Sequence, residues 1–160
     1  MSVLIQSVSR KDGKAFLSLI DALADFEKLK RPTLSARKRL LNDLFGKRKR
    51  FAAVLAVVEK KAVGYAIFFE TYSSFRALPT FYLEDIFILP DYRSMGIGKK
   101  LFRYCIQQAK HSGCGKMEWV VLDWNMNAIR FYERIGAQRL REWLPYRIDR
   151  ENFSRILKKK

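Results

Sequence analysis

The chain has 160 residues, is 49% hydrophobic and carries a net charge of +16, a length and composition typical of one folded domain rather than a disordered chain. No apolar run approaches the roughly 18 residues of a membrane span, and two cysteines with one histidine cannot form a disulfide framework or a familiar Cys/His zinc site. We therefore expect a single domain over residues 1–160 that is soluble and cytoplasmic and holds no metal ion. Its basic charge would serve to bind nucleic acid or a phosphorylated small molecule, or would simply belong to a solvated surface.

Periodicity predicts one strand and two helices in the first third of the chain. A β-prone run covers residues 4–8, and apolar residues then recur at helical spacing over residues 16–26. Pro32 ends this helix, and a second amphipathic helix follows until Gly46. The candidate helix caps are Ser9, Asp12, Thr33 and Ser35.

A basic tetrad, Lys-Arg-Lys-Arg, occupies residues 47–50. It can contact phosphates, or it can be a solvated turn between a helix and a strand. The sequence leaves both interpretations open.

The rest of the chain predicts a mixed α/β arrangement. Strand-like runs cover residues 51–58, 63–72, 80–89 and 117–122, and two short strands are expected on either side of Pro145. Helical patterns cover residues 97–110 and 127–135. The predicted order is β-α-α-β-β-β-α-β-α-β-β, which indicates a sheet flanked by helices.

The segment Arg93-Ser94-Met95-Gly96-Ile97-Gly98 joins the strand-like run 80–89 to the helix that follows it. Its glycines permit a tight turn and close approach of a ligand to the backbone. The first N–H groups of a helix and the positive end of its dipole attract anions. This context predicts a phosphate-binding loop, whereas the hexapeptide alone is also compatible with an ordinary turn.

Four motifs in order accompany this loop. They are Tyr-Leu-Glu-Asp-Ile-Phe at 82–87, Asp-Tyr-Arg at 91–93, Asp-Trp-Asn at 123–125, and Phe-Tyr-Glu-Arg at 131–134 before Gly136-Ala137. Together they resemble the Gcn5-related N-acetyltransferase (GNAT) superfamily over nearly the whole chain. The chain is most similar to the diamine group, which includes the spermidine/spermine and thialysine N-acetyltransferases.

The resemblance implies a GNAT acyl-CoA N-acyltransferase fold, with a mixed central sheet of about seven strands flanked by helices and with acetyl-CoA as cosubstrate. It implies that the main chain of Ile86, Phe87 and Ile88 pairs with the pantetheine amides. The other implied cofactor-binding residues are Arg93, Ser94, Met95, Gly96, Ile97, Gly98, Lys99, Asn125, Met126, Asn127, Ala128 and Arg134. A helix cap is a second role open to Asn125.

Two side chains are candidates for proton transfer. The resemblance implies that Tyr132 protonates the departing thiolate, and a phenol with a pKa near 10 suits that step. Strand alternation puts Glu84 on one face with Tyr82, Ile86 and Ile88, where it can accept the proton of the amine, and puts Asp85 on the other face. A packed core tyrosine and a surface ion pair are the structural alternatives.

Acidic and aromatic side chains are candidates for binding a cationic amine, through charge pairing and cation–π contact. The resemblance implies this role for Phe26 and Glu27 at the end of the first helix and for Glu118 and Trp119 on a later strand, and Glu84 and Asp85 are the further acidic candidates. One departure from the diamine group weakens the case for a polyamine substrate: the loop at 73–76 contains Arg76 and no acid. The substrates that remain open are polyamines and diamines, thialysine-like or lysine-like amino acids, and other small amines.

The sequence thus predicts an acetyltransferase that transfers acetyl directly to a primary amine in a ternary complex. A protein or peptide N-terminal or lysine acetyltransferase is the alternative, and a basic nucleic-acid-binding module that uses residues 47–50 and 158–160 is a more distant one. The resemblance also implies a homodimer.

Overall fold

The computed structural model describes residues 2–158 of the chain. Its strands are β1 (Val3–Ser7), β2 (Ala52–Val58), β3 (Lys61–Ser73), β4 (Leu78–Ile88) and β5 (Lys116–Glu118). Its α-helices are α1 (Gly13–Phe26), α2 (Leu34–Phe45), α3 (Ile97–His111), α4 (Met126–Arg134) and α5 (Phe153–Leu157). The predicted cap Thr33 is confirmed, since its hydroxyl accepts a hydrogen bond from the Ala36 N–H at 3.2 Å.

The five strands form one mixed sheet in the order β1-β2-β3-β4-β5. The pairs from β1 to β4 are antiparallel, and β4 pairs with β5 in parallel. That parallel pairing covers three residues of each strand, from Thr80 opposite Lys116 to Tyr82 opposite Glu118. The two strands therefore share a ladder at the start of β5 only.

The expectation of about seven strands is wrong for the described residues, because the sheet has five. Neither of the two short strands expected around Pro145 forms, and β5 ends at Glu118 instead of continuing to residue 122. Leu144, Tyr146 and Ile148 do alternate as in a strand, but all three are exposed. A pattern of alternation becomes a strand only where a neighbouring strand supplies the main-chain partners.

One layer of the core lies between the sheet and the helices α1 and α2. Phe16 and Leu44 pack there with Leu55, Tyr65 and Phe87 of the sheet. The ring of Phe16 meets the ring of Tyr65 edge-on, with 5.5 Å between the centroids. Helix α3 packs mainly on β4, and buries Leu101, Phe102 and Cys105.

The chain forms two compact units, one that ends at Val120 and one that begins at Val121. The first unit contains the sheet and α1 to α3, and the second contains α4 and α5. The single domain over residues 1–160 stays a prediction. In the part of the chain that the structure describes, no helix has the length and apolar character needed to cross a bilayer.

Candidate active site

A β-bulge in β4 positions the acidic residues of the candidate site. Ile67 of β3 is opposite Asp85, and the next residue, Phe68, is opposite Leu83. Glu84 is therefore the extra residue of β4, and it reverses the alternation of side chains at this point. Asp85 consequently lies on the same face as Tyr82, not on the opposite one.

This bulge corrects two expectations that rested on unbroken alternation. The regular alternation that would place Glu84 on one face with Tyr82, Ile86 and Ile88 is broken at Glu84. Asp85 lies on the face of Tyr82 and not on the opposite face. Glu84 and Asp85 line one cavity. Alternation fails as a guide here because a bulge places two residues opposite one.

The cavity lies on the side of the sheet that faces α2 and has a volume of about 440 Å³. Its walls combine four apolar side chains with three charged ones. The lining residues are Leu40, Arg50, Phe51, Ile67, Phe69, Glu84 and Asp85. An apolar pocket with a few charged groups is the common form of a small-molecule site.

Asp85 is largely buried beside a tyrosine. The hydroxyl of Tyr65 donates a hydrogen bond to its carboxylate at 3.2 Å. Burial and the neighbouring charge of Glu84 raise the pKa of Asp85 to about 6, although the Tyr65 hydrogen bond opposes this shift. Burial, followed by the charge of Asp85, raises the pKa of Tyr65 above its usual range, so the phenol stays protonated.

Of the two remaining acidic candidates, one acts on these groups and the other does not. Glu27 follows the last turn of α1, and burial raises its pKa. Its charge also contributes to the raised pKa values of Asp85 and Tyr65. Glu118, at the end of β5, is paired with Lys116 and is opposite Tyr82 in the ladder. The candidates Glu27, Glu84 and Asp85 are thus electrostatically coupled, whereas Glu118 already has a basic partner.

Arg93 turns back onto the sheet and away from the loop that it begins. Its guanidinium carbon lies 4.5 Å from the centroid of the Phe26 ring and 5.5 Å from that of Phe87. Its Nε donates to the Ile88 carbonyl at 3.0 Å. This side chain therefore links the end of α1 to β4 by cation–π contact and a hydrogen bond. It also occupies one of the carbonyl groups expected to face the cofactor.

The main chain of β4 is open on one side beyond Tyr82. In the described residues its ladder with β5 ends at Tyr82, while its ladder with β3 continues to Ile88. Residues 83–88, which include Ile86 and Phe87, thus have a strand neighbour only on the β3 side. An extended ligand with amide groups can pair with such an edge.

The loop between β4 and α3 has the features of an anion site. Gly96 is the N-cap of α3 in the left-handed conformation, with φ of 76°, and a Cβ at this position would meet no atom within 4 Å. Ser94 also has a positive φ, of 61°. The Lys100 N–H donates to the Gly96 carbonyl at 3.1 Å, so the preceding amides of Ile97, Gly98 and Lys99 open the helix. Met95 and Lys99 are exposed. This open cradle fits a diphosphate.

The remaining candidates are in the C-terminal unit. Asn125 caps α4, and its side-chain oxygen accepts a hydrogen bond from the Ala128 N–H at 3.3 Å. Tyr132 is half-buried, and its ring contacts that of Phe131 with 5.5 Å between the centroids. Met126, Asn127 and Arg134 are exposed on the same helix. Asn125 therefore does cap the helix, which was one of the two roles open to it. The side chain of Ala128 lies on the same helix face as Tyr132.

Trp119 is the one substrate candidate that packs on α3. Its ring meets Phe102 edge-on, with 5.3 Å between the centroids. It is not among the residues that line the cavity. Sequence reasoning also missed Tyr65, because a tyrosine in a strand carries no signal of a site. It considered Arg50 only as part of a basic run that could contact phosphates, and not as a lining residue of this cavity.

Comparison with known proteins shows the family of the chain. A model described as the Acetyltransferase (GNAT) family matches residues 17–137. Thialysine N-epsilon-acetyltransferase of Mus musculus is 32% identical over 94% of each chain. L-ornithine N5-acetyltransferase of Arabidopsis thaliana is 50% identical over half of this chain, a match that covers 35% of the plant protein.

A solved structure shares the fold. An integron cassette protein of V. cholerae superposes with a TM-score of 0.81 over 99% of each chain, at 24% identity. At that identity the likeness concerns the fold alone. Because the family model covers most of the chain and the mouse relative matches almost all of it, the protein belongs to the GNAT family of acetyltransferases.

Proposed function

We propose that the protein transfers the acetyl group of acetyl-CoA to a primary amine of a small amine or amino acid, in a ternary complex. The observation that carries this proposal is the cavity lined by Glu84 and Asp85 on a chain whose net charge is +16. Two coupled carboxylates in a mostly apolar pocket favour a cationic ligand. The substrates in the names of the mouse and plant relatives, thialysine and L-ornithine, are both amines of this kind.

The first unit supports the proposal that acetyl-CoA, which would supply an activated acetyl thioester, binds along β4 and at α3. The open edge at Ile86 and Phe87 would pair with amide groups of the cosubstrate. The amides from Gly96 to Lys99 would hold its diphosphate. Asn125, Met126, Asn127, Ala128 and Arg134 are proposed as further cofactor-binding residues on the family resemblance.

The chain offers groups for both proton transfers. An amine with a pKa near 10.4 is neutral in only about one molecule in 2,500 at pH 7, so the site must remove a proton. Glu84, with Asp85 beside it, is proposed to bind the ammonium and to accept that proton. Tyr132 is proposed to donate a proton to the departing sulfur. The thiol of Cys105 is unsuited to carry an acyl group, because burial raises its pKa to about 12.

We also propose that the protein works as a homodimer in the cytoplasm. The thiols of Cys105 and Cys114 are unpaired, as is usual in a reducing compartment. Trp143, Leu144 and Tyr146 are highly exposed apolar side chains of a kind that an interface would cover. Light scattering that gives the 18.8 kDa mass of one chain would contradict the dimer.

The activity is tested with a panel of acceptors that includes putrescine, spermidine, L-ornithine, L-lysine, thialysine and a basic peptide. We expect thiol release from acetyl-CoA with at least one small amine, and an N-acetyl product by mass spectrometry. In the variant Tyr132→Phe, kcat should fall about 100-fold or more while the affinity for coenzyme A changes little, because only proton donation is lost.

Tyr146→Phe is the matched control, since this tyrosine is 91% exposed in the same unit. Absence of thiol release with every acceptor would refute the proposed activity. Acetylation of the peptide alone would favour the protein acetyltransferase, and full turnover by Tyr132→Phe would remove that residue from the mechanism.

The phosphate loop is tested with Gly96→Ala. A methyl group at Gly96 would enter space that no described protein atom occupies, and the positive φ disfavours any side chain there. If the diphosphate lies in this loop as proposed, the substitution should weaken coenzyme A binding at least about tenfold by calorimetry. Gly113→Ala is the control, because Gly113 also has a positive φ, of 68°, and an open Cβ position. Both substitutions carry similar backbone strain, so equal coenzyme A affinities in the two variants would contradict the assignment.

The unpaired charge of Asp85 predicts a pH-dependent stability. Its pKa is near 3.9 in an unfolded chain and about 6 in the fold, so the folded state binds more protons between these values and loses stability as pH rises. Asp85→Asn removes this loss. In urea unfolding, the free energy of unfolding of the variant minus that of the wild type should therefore increase by roughly 2 kcal/mol from pH 4.5 to pH 7.5.

Glu142→Gln, at an exposed carboxylate of the other unit, controls for the loss of one negative charge. A stability difference between Asp85→Asn and the wild type that is the same at both pH values would show that Asp85 is not held in an unfavourable environment.

A further inference from the structure

The cavity is lined by one basic side chain besides its two acids. Glu84, Asp85 and Arg50 are the charged residues that line it, and the remaining lining residues are apolar. Arg50 is the last residue of the basic tetrad 47–50 and lies two residues before the start of β2 at Ala52. It is therefore the member of that tetrad that reaches this site.

Arg50 is anchored from α2 and not by the acids of the cavity. Its backbone N–H donates to the Asp43 carbonyl at 2.9 Å, and its Nε lies 3.3 Å from the Asp43 carboxylate. The side chain is exposed, and this ion pair uses one of the five N–H donors of the guanidinium. The fork of the remaining donors matches a carboxylate.

The acids, in turn, act on one another rather than on a basic neighbour. Asp85 faces Tyr65 of β3, Glu84 of β4 and Glu27 after α1, and the charges of Glu84 and Glu27 both raise its pKa. Among the described residues, the cavity thus has two acids and one arginine in its lining, and the arginine forms its ion pair with Asp43 and not with either of these acids. A ligand with both charges would complement both kinds of group.

We propose that Arg50 binds the carboxylate of the acceptor, so that the preferred substrate is an amino acid with a terminal side-chain amine and not a polyamine. This inference rests on the proposed function. The side-chain ammonium would lie at Glu84 and Asp85, and the apolar walls would contact the methylene chain between the two ends. At the far end an amino acid has a carboxylate that offsets its α-ammonium, whereas a diamine has an ammonium alone, which the guanidinium repels.

The test compares each amino acid with its decarboxylated counterpart: L-ornithine with putrescine, and L-lysine with cadaverine. Each pair has the same terminal amine and differs in the carboxylate. We expect the wild type to favour the amino acid in kcat/KM. In Arg50→Gln this ratio should fall about tenfold or more, mainly through a higher KM for the amino acid.

Arg48→Gln is the matched control, since Arg48 is an exposed member of the same tetrad and does not line the cavity. Arg50→Lys should recover part of the preference, because it keeps the charge and loses the fork. Thermal melting confirms that the variants are folded.

The outcomes separate the two proposals. An equal fall in kcat/KM for both members of a pair, an unchanged ratio in Arg50→Gln, or a wild type that prefers the diamine would overturn the role of Arg50 and leave amine acetylation in place. A wild type that acetylates none of the four amines, but is active on the basic peptide, would overturn this inference and the small-amine function together.

Discussion

The site depends on the bulge in β4. A regular strand would send Glu84 and Asp85 to opposite faces of the sheet, and only one of them would reach the cavity. The extra residue brings both to the side that faces α2. Beyond the bulge, the main chain of β4 is free of β5, so acid side chains and an open backbone edge occur in consecutive residues of one strand. The backbone edge proposed for the cosubstrate and the acidic side chains proposed for the amine are therefore neighbours on one strand.

The electrostatics of the cavity differ from those of the whole chain. A net charge of +16 attracts anions at long range, and salt screens this effect beyond about 10 Å. Inside the cavity, burial and the charges of Glu84 and Glu27 disfavour the ionised form of Asp85 and raise its pKa. The Tyr65 hydrogen bond offsets part of this cost and leaves the rest for a cationic ligand to relieve. A basic protein can thus offer a favourable place for a cation where several of its 16 acidic residues converge.

Sequence patterns predicted the helices α1 to α4, the strands β1 to β4 and the glycine-containing turn that opens α3, because helix periodicity, capping and glycine placement are local properties. They failed where the outcome depends on a partner strand. Leu144, Tyr146 and Ile148 alternate but have no ladder, and β5 is three residues long because its pairing with β4 stops at Tyr82. The bulge at Glu84 was also beyond reach, since nothing in Leu-Glu-Asp-Ile shows which residue lacks a partner. Arg50 became a site residue only through the fold.

The two halves of the site differ in what their recognition requires from the sequence. A diphosphate on helix amides and an amide chain on a strand edge need backbone geometry, which a few glycines and a short pairing provide. The candidate acceptor cavity is lined by side chains from α2, β3, β4 and the segment before β2, which are far apart along the chain. If the acceptor binds there as proposed, single substitutions such as one at Arg50 would change substrate choice without touching the backbone features proposed for the cosubstrate.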